Sequence, residues 1–160
     1  MRAMVWISES TWEGCVDRAR ELIPDDAEVV LLHVSPSDAE ELAEPRPGRL
    51  LGRRPPPPPG PALRVVATEE AEALLSQAQA RLGRPAELVT RRGRVEREVV
   101  RASADVGLLV LARDGEPRLG PRSLGRHTRF VVDHAACPVL VLWPGTPPGV
   151  ETIPPSPKRS

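Results

Sequence analysis

Short, nearly continuous runs of apolar residues recur along the chain and alternate with segments of helical periodicity. The runs occupy residues 3–7, 29–34, 86–90, 106–112 and 139–143. An apolar run that is bounded by polar residues is typical of a strand buried on both faces of a parallel sheet. The pattern therefore predicts five strands. The third is the least apolar of them, so we expect it nearer an edge of the sheet.

The segments between these runs carry apolar residues at helical spacing. The stripes are Trp12, Cys15, Val16, Ala19, Leu22 and Ile23 in the first segment, Ala71, Leu74, Leu75, Ala78 and Leu82 in the second, and Val95, Val99 and Ala102 in the third. Ser10 and Glu13 match a capping box for the first helix, and Thr68 is predicted to cap the second. Pro24 and Gly83 are predicted to end these two helices.

Strands and helices thus alternate along the whole chain, with a fourth helix predicted over 126–135 between the last two strands. Short connections after each helix favour right-handed crossovers and parallel strands. The predicted fold class is α/β, with a five-stranded, parallel, doubly wound sheet that has helices on both faces. In such sheets, ligands bind beyond the carboxyl ends of the strands, where the strand order reverses.

The chain of 160 residues is predicted to form one domain, 1–144, followed by a disordered tail at 145–160. Residues 37–63 interrupt the domain with a proline-rich, flexible insertion that includes the run of prolines at 55–59. We interpret this insertion as an exposed linker. The alternative is a docking site for a partner that recognises proline-rich segments, because arginines precede the run.

Composition excludes several classes of function. The formal net charge is zero and aromatic residues are scarce, so we expect neither a nucleic acid nor a membrane as partner. No apolar run approaches the length of a membrane span, and the N-terminal apolar run stops at Ser8, so we expect a cytoplasmic protein. Cys15 and Cys137 form neither a disulfide framework nor a metal site, and Cys15 is expected to be buried and inert. His33, inside a strand, is interpreted as a hydrogen-bonded core histidine.

The fourth predicted strand leads through a glycine-containing loop, 113–125, into the fourth predicted helix. A strand, a glycine loop and a helix N-terminus in this order form a phosphate-binding arrangement. The glycines let the backbone approach an anion, and free N–H groups of the first helical turn point at it. No nucleophile elbow or Walker-type Gly-Lys-Ser/Thr motif is present, and no catalytic constellation stands out, so we expect that the protein is not an enzyme.

This region resembles the universal stress protein family. The family pattern is a glycine, two residues, a second glycine, nine residues, a third glycine, then Ser or Thr. Gly115 and Gly125 match it, whereas Ala112 replaces the first glycine and Arg126 replaces the hydroxyl residue. The segments 134–141 (His-Ala-Ala-Cys-Pro-Val-Leu-Val) and 31–34 (Leu-Leu-His-Val) are also typical of the family. The resemblance implies a Rossmann-like, adenine nucleotide alpha hydrolase-like sheet.

The resemblance also implies a binding site for ATP or another adenine nucleotide, without a metal of the protein's own, beyond the first and fourth strands. Carried over to this sequence, the cofactor-binding residues are Ser8, Val34, Ala112, Gly115, Gly125, Arg126 and His127. Ser8 stands where the family has an acidic residue that helps to hold the nucleoside. Losing two such contacts weakens a micromolar site to about 100 μM. Arg126 either grips a phosphate as a fork of donors or fills the pocket.

Two hypotheses of function follow. In the first, the protein is a stress-response protein that binds an adenine nucleotide weakly and acts by binding, without turnover. In the second, it is a degenerate, nucleotide-free interaction module. The resemblance implies a homodimer in either case, built through the last strand: Val139, Leu140, Val141, Leu142 and Trp143.

Overall fold

The computed structural model describes residues 1–37 and 60–157. Most of the predicted proline-rich insertion, and the last residues of the tail, lie outside the described residues. The strands are β1 (Arg2–Trp6), β2 (Glu28–Pro36), β3 (Glu87–Gly93), β4 (Leu108–Ala112) and β5 (Val139–Leu142). The helices are α1 (Trp12–Leu22), α2 (Pro61–Leu82), α3 (Val95–Ser103) and α4 (Arg126–His134), with 3-10 turns at Pro121–Ser123 and Val150–Thr152.

The five strands form one parallel sheet in the order β3-β2-β1-β4-β5. The predicted fold class and the predicted edge position of the third strand are both confirmed. The order reverses direction at β1, which pairs with β2 on one side and with β4 on the other. The loops that follow β1 and β4 therefore emerge side by side at the carboxyl edge.

Alternate residues of the central strands enter two separate hydrophobic cores. Val5 faces the core that α1 and α2 cover, whereas its neighbour Met4 faces the core that α3 and α4 cover. Leu31 and Leu32 divide in the same way, and all four side chains are buried. Because both faces of these strands are covered, the sequence shows continuous apolar runs where a sheet with one wet face would show alternation.

The start of α2 corrects two sequence-based expectations. The helix begins at Pro61, so residues 61–63 of the predicted insertion form its first turn. Proline suits this position because its fixed φ angle is already helical and the first turn lacks partners for its N–H groups. Thr68 is consequently not a cap. It lies inside the helix, where its Oγ1 donates a hydrogen bond to the carbonyl of Arg64 at 2.9 Å.

Other local expectations are also wrong. Thr11, and not Ser10, precedes α1, and no side chain caps that helix. Instead, the N–H groups of Thr11 and Trp12 bond to the carbonyl of Ser8 at 3.1 and 2.9 Å. Leu22, assigned to the buried stripe, is 53% exposed because it lies at the last turn.

β3 extends beyond the apolar run at 86–90 and continues to Gly93, whose carbonyl accepts a hydrogen bond from Ser37 N–H. The assignment of 145–160 as a separate tail stays a prediction. Within it, residues 145–157 have a described path that includes a 3-10 turn.

Gly14 lets the chain that leaves β5 cross directly over α1. A Cβ atom on Gly14 would overlap the carbonyl oxygen of Pro144 and lie 2.8 Å from its Cα. No other residue type fits at this point without moving the backbone. Gly14 therefore couples the N-terminal turn of α1 to the end of the sheet.

We expect Gly14→Ala to lower the free energy of unfolding by about 1–3 kcal/mol, the usual cost of overpacking. Helix propensity alone predicts the opposite sign, since alanine in a helix is favoured over glycine by about 1 kcal/mol. Urea denaturation decides between the two effects. Gly145→Ala is the matched control, because a Cβ there meets no atom within 4 Å. Equal stability of the two variants would contradict the close crossing.

Candidate ligand-binding cleft

A cleft lies at the carboxyl edge of the sheet, beside the point where the strand order reverses. It contains a cavity of about 520 Å³, within the range of small-molecule sites. The residues after β1, the end of β2, one face of α2 and the start of α3 form its walls. The lining residues are Trp6, Ile7, Ser8, Glu9, Ser10, His33, Val34, Ser35, Pro36, Ala67, Glu70, Ala71 and Val95.

His33 lines the cavity and is 7% exposed, the same fraction as Trp6. Its Nδ1 lies 2.8 Å from the carbonyl oxygen of Ile7. A carbonyl can only accept, so Nδ1 carries the hydrogen, and in the neutral ring Nε2 is an acceptor. The expectation of a hydrogen-bonded core histidine is confirmed. Nε2, however, has no hydrogen-bond partner among the described residues, and the ring lines the cavity.

The cavity has an acidic lining. Glu9 follows β1, and Glu70 reaches the same cavity from α2. Among the described lining residues there is no arginine or lysine. This end of the cleft thus offers hydrogen-bond acceptors and hydroxyl groups, and it suits an uncharged donor-rich group better than an anion.

The glycine loop after β4 closes on itself. Gly115 N–H donates to the Ser123 carbonyl at 2.9 Å, and Glu116 N–H donates to the Arg122 carbonyl at 2.8 Å. A Cβ on Gly115 would overlap the Arg122 carbonyl oxygen. Gly115 is thus required by the close approach of the protein's own backbone, and its N–H is already satisfied.

Gly125, the residue that precedes α4, holds a carboxylate of the same loop. Its N–H donates to Asp114 Oδ1 at 2.8 Å, and a Cβ at Gly125 would lie 2.9 and 3.0 Å from the two Asp114 oxygens. The N-terminus of a helix is where an anion is most favourably bound, because backbone N–H groups and the helix dipole both point at it. Here the anion at that place belongs to the chain itself.

The arginines of the loop also have partners. Arg113 donates through Nη1 to Ser123 Oγ and stacks over Trp143, with its Cζ 4.9 Å from the ring centroid. Arg118 and Arg122 lie 3.6 and 3.7 Å from the carboxylate of Glu116. Glu116 thus lies beside two of the loop's arginines, whereas Arg113 Nε is buried without a hydrogen-bond partner among the described residues.

Glu96, His127 and Arg126 form a hydrogen-bonded chain between α3 and α4. His127 Nδ1 donates to Glu96 Oε2 at 2.8 Å, and His127 Nε2 lies 3.3 Å from Arg126 Nη2. Burial alone raises the pKa of the Glu96 carboxyl. Hydrogen bonds from its own backbone N–H and from His127, together with nearby positive charge from His127 and Arg94, hold its net pKa below the ordinary value.

The structure places the residues carried over from the family pattern in two groups. Ser8 and Val34 line the cavity. Ala112, Gly115, Gly125, Arg126 and His127 belong to the end of β4, its loop and the start of α4, and are not among the lining residues. Ala112 is buried at the end of β4 with negative φ, the one condition under which alanine can replace that glycine.

Sequence reasoning missed Glu70, Asp114 and Glu96. A signal for Asp114 was present, since a carboxylate inside a predicted anion-binding loop has the wrong charge for that role. Glu70 gave no such signal, because it lies on the exposed side of its helix pattern and only the packing of α2 against the sheet brings it to the cavity.

Some kinds of site are absent from the part of the chain that the structure describes. Within residues 1–37 and 60–157, no three or more His, Cys, Asp or Glu side chains are grouped so that they could hold a metal ion. In the same residues no helix has the length and apolar character needed to cross a membrane. Cys15 is fully buried, as expected, and burial raises the pKa of its thiol to about 12.

We expect Glu96→Gln to lower the free energy of unfolding at pH 7 by about 1–3 kcal/mol, because it weakens a hydrogen bond to a buried charged group. The folded-state pKa of Glu96 is lowered, so the stabilisation is present above the ordinary value of 4.5 and is lost as the pH falls through the folded-state pKa. Urea denaturation measures the free energy of unfolding of both proteins at pH 7 and below pH 4.5. The difference between the variant and the native protein should be smaller at the lower pH. Glu72→Gln, on the exposed face of α2, is the control. A pH-independent difference would contradict this account.

Solved structures share this fold. Hypothetical protein MJ0577 superposes with a TM-score of 0.64 at 21% identity, over 89% of this chain and 94% of its own. A universal stress protein in complex with cAMP has a TM-score of 0.59 at 14% identity, over 91% of this chain and 98% of its own. A universal stress protein family protein from Arabidopsis thaliana with AMP bound has a TM-score of 0.55 at 17% identity, over 89% of this chain and 90% of its own.

The sequence itself carries the family assignment. No curated protein sequence matches the chain. The model of the universal stress protein family does match, and it covers residues 14–142, from the first helix to the last strand. This range includes β2, the glycine loop and β5, where the family-like segments occur. The chain therefore belongs to the universal stress protein family.

Proposed function

We propose that this protein binds an adenine nucleotide, weakly, in the cleft beyond the carboxyl ends of β1 and β2. The observation that carries the proposal is the cavity of about 520 Å³ at the carboxyl ends of β1 and β2. Its location follows the general rule for doubly wound sheets. Structures with this fold include one described in complex with cAMP, one with dAMP and one with AMP bound.

The protein acts by binding and not by turnover. Among the described residues, no hydrogen bond joins a lining serine to His33, Glu9 or Glu70. The Glu96–His127 pair is directed to Arg126 and holds α3 against α4, which is a structural use of a carboxylate and an imidazole. The protein works in the cytoplasm, where adenine nucleotides are abundant and where its free cysteines remain reduced.

The second candidate function is that of a nucleotide-free interaction module. One observation favours it: Asp114 already occupies the N-terminus of α4, and the N–H groups of Gly115 and Glu116 are bonded within the loop. A phosphate that entered this loop would have to displace the carboxylate. The two candidates differ in whether the cavity has a small-molecule occupant, which a binding measurement decides.

We expect Ala67→Trp to abolish binding of AMP, because the indole fills the cavity from its α2 wall. Isothermal titration calorimetry with AMP measures the effect, and we expect the native protein to bind with a Kd of about 100 μM or weaker. Ala73→Trp, at an exposed position of the same helix, is the matched control and should bind as the native protein does. If the native protein binds no AMP at millimolar concentration, the nucleotide proposal fails and the interaction module stands.

The partner of the protein is a second copy of this chain, joined through β5. This strand is an edge of the described sheet. Leu109 N–H donates to the Pro138 carbonyl and Arg113 N–H donates to the Leu142 carbonyl. Because bonding alternates along a parallel strand, the backbone groups of Val139 and Val141 face away from β4. An apolar edge with open backbone groups is a template for pairing with another strand.

We expect Val141→Pro to convert the dimer to a monomer, since it removes an outward N–H without removing a bond to β4. Sedimentation velocity at about 10–50 μM, a range typical of weak dimers, measures the change. Thr90→Pro is the matched control. The Gly93 carbonyl accepts from Ser37 N–H, so the backbone groups of Gly93 face β2. Because the direction alternates along the strand, the N–H of Thr90 faces the open edge of β3. A native protein that sediments as a monomer would refute the dimer.

A further inference from the structure

We propose that Asp114 is an internal anion at the start of α4, where the family pattern would place a phosphate, and that the cleft therefore prefers a nucleoside to a nucleotide. The inference rests on the proposed function, since it names which ligand of the adenine class binds best. The family pattern of the glycine loop predicts that the phosphates of a nucleotide contribute most to binding. We expect instead that the nucleoside contributes most.

The first step is the position of the carboxylate. The Asp114 oxygens lie 2.9 and 3.0 Å from the point where a Cβ of Gly125 would be, and one of them accepts the Gly125 N–H. A phosphate that binds at the start of α4 needs the same N–H group and the same space. Because the carboxylate and the phosphate are both negative, they would also repel each other at the start of α4.

The second step is that the loop offers little to compensate. The N–H groups of Gly115 and Glu116 bond to carbonyls of the loop itself. The guanidinium groups of Arg118 and Arg122 lie beside Glu116, and that of Arg113 is held between Ser123 and Trp143. A polyphosphate would therefore have to break existing contacts to gain new ones, which reduces its net affinity.

The third step is the chemistry of the cavity. His33 is nine-tenths buried, and its Nε2 is an acceptor without a partner among the described residues. The carboxylates of Glu9 and Glu70 add further acceptors, and no described lining residue is a cation. A ligand that donates to these acceptors gains hydrogen bonds in a partly closed cavity. Adenosine carries such donors, an exocyclic amine and ribose hydroxyls, and it carries no charge.

The test compares adenosine with ATP on the full-length native protein and on Asp114→Asn, by isothermal titration calorimetry. We expect the native protein to bind adenosine about tenfold more tightly than ATP, the effect of losing one hydrogen bond to a charged group. Asp114→Asn removes the charge and keeps the shape, so it should raise the affinity for ATP about tenfold and leave that for adenosine unchanged. Asp105→Asn, an exposed position before β4, is the matched control and should change neither affinity.

A second variant tests whether the cavity lining binds the nucleoside. Glu70→Ala should weaken adenosine binding, whereas Glu69→Ala, its neighbour outside the lining, should not. Both positions are exposed, so the fold is preserved. If adenosine binding is the same in both variants, Glu70 is not part of the subsite.

The outcomes separate the inference from the proposed function. If ATP binds the native protein more tightly than adenosine does, the inference is overturned and the nucleotide-binding function stands. If adenosine binds more tightly but Asp114→Asn does not improve ATP binding, the role of Asp114 is overturned. If neither ligand binds either protein, the proposed function and the inference fall together.

Discussion

The pairing of β1 with both β2 and β4 is the constraint on which the rest of the structure depends. Because all five strands are parallel, every connection crosses a face of the sheet, and in this sheet the strand order reverses at one place. That place is β1, so the chain after Ile7 and the loop after Ala112 emerge next to each other. The cleft is a consequence of this topology, and its existence does not depend on which side chains line it.

The same geometry can serve a ligand or the protein itself. Gly115 and Gly125 permit a close approach of the backbone, and in a phosphate-binding loop the approaching group is an anion from solution. In this chain the approaching groups are the Arg122 carbonyl and the Asp114 carboxylate. Glycines at the expected spacing therefore show that something approaches closely, and they do not by themselves show what approaches.

Charge is distributed unevenly along the carboxyl edge. The cavity beside β1 and β2 is lined by Glu9 and Glu70, whereas the loop after β4 is rich in arginines that pair within it. Beyond the loop, Glu96 anchors His127, which in turn orients Arg126. The Arg126 guanidinium lies 3.3 Å from the imidazole of the next residue, and its role toward a phosphate stays a prediction.

The sequence by itself determined the fold class, because strands buried on both faces must be apolar throughout. The continuous apolar pattern at 29–34 differs from the alternating pattern of a strand with one solvent-exposed face. It also determined the family and the edge position of β3. It did not determine where α2 begins, since a proline suits both a linker and the first turn of a helix. Only the tertiary structure decided that Asp114 faces Gly125 and that Glu70 lines the cavity. Both facts depend on how a loop folds back and how a helix is rotated on the sheet, and no local pattern encodes either of them.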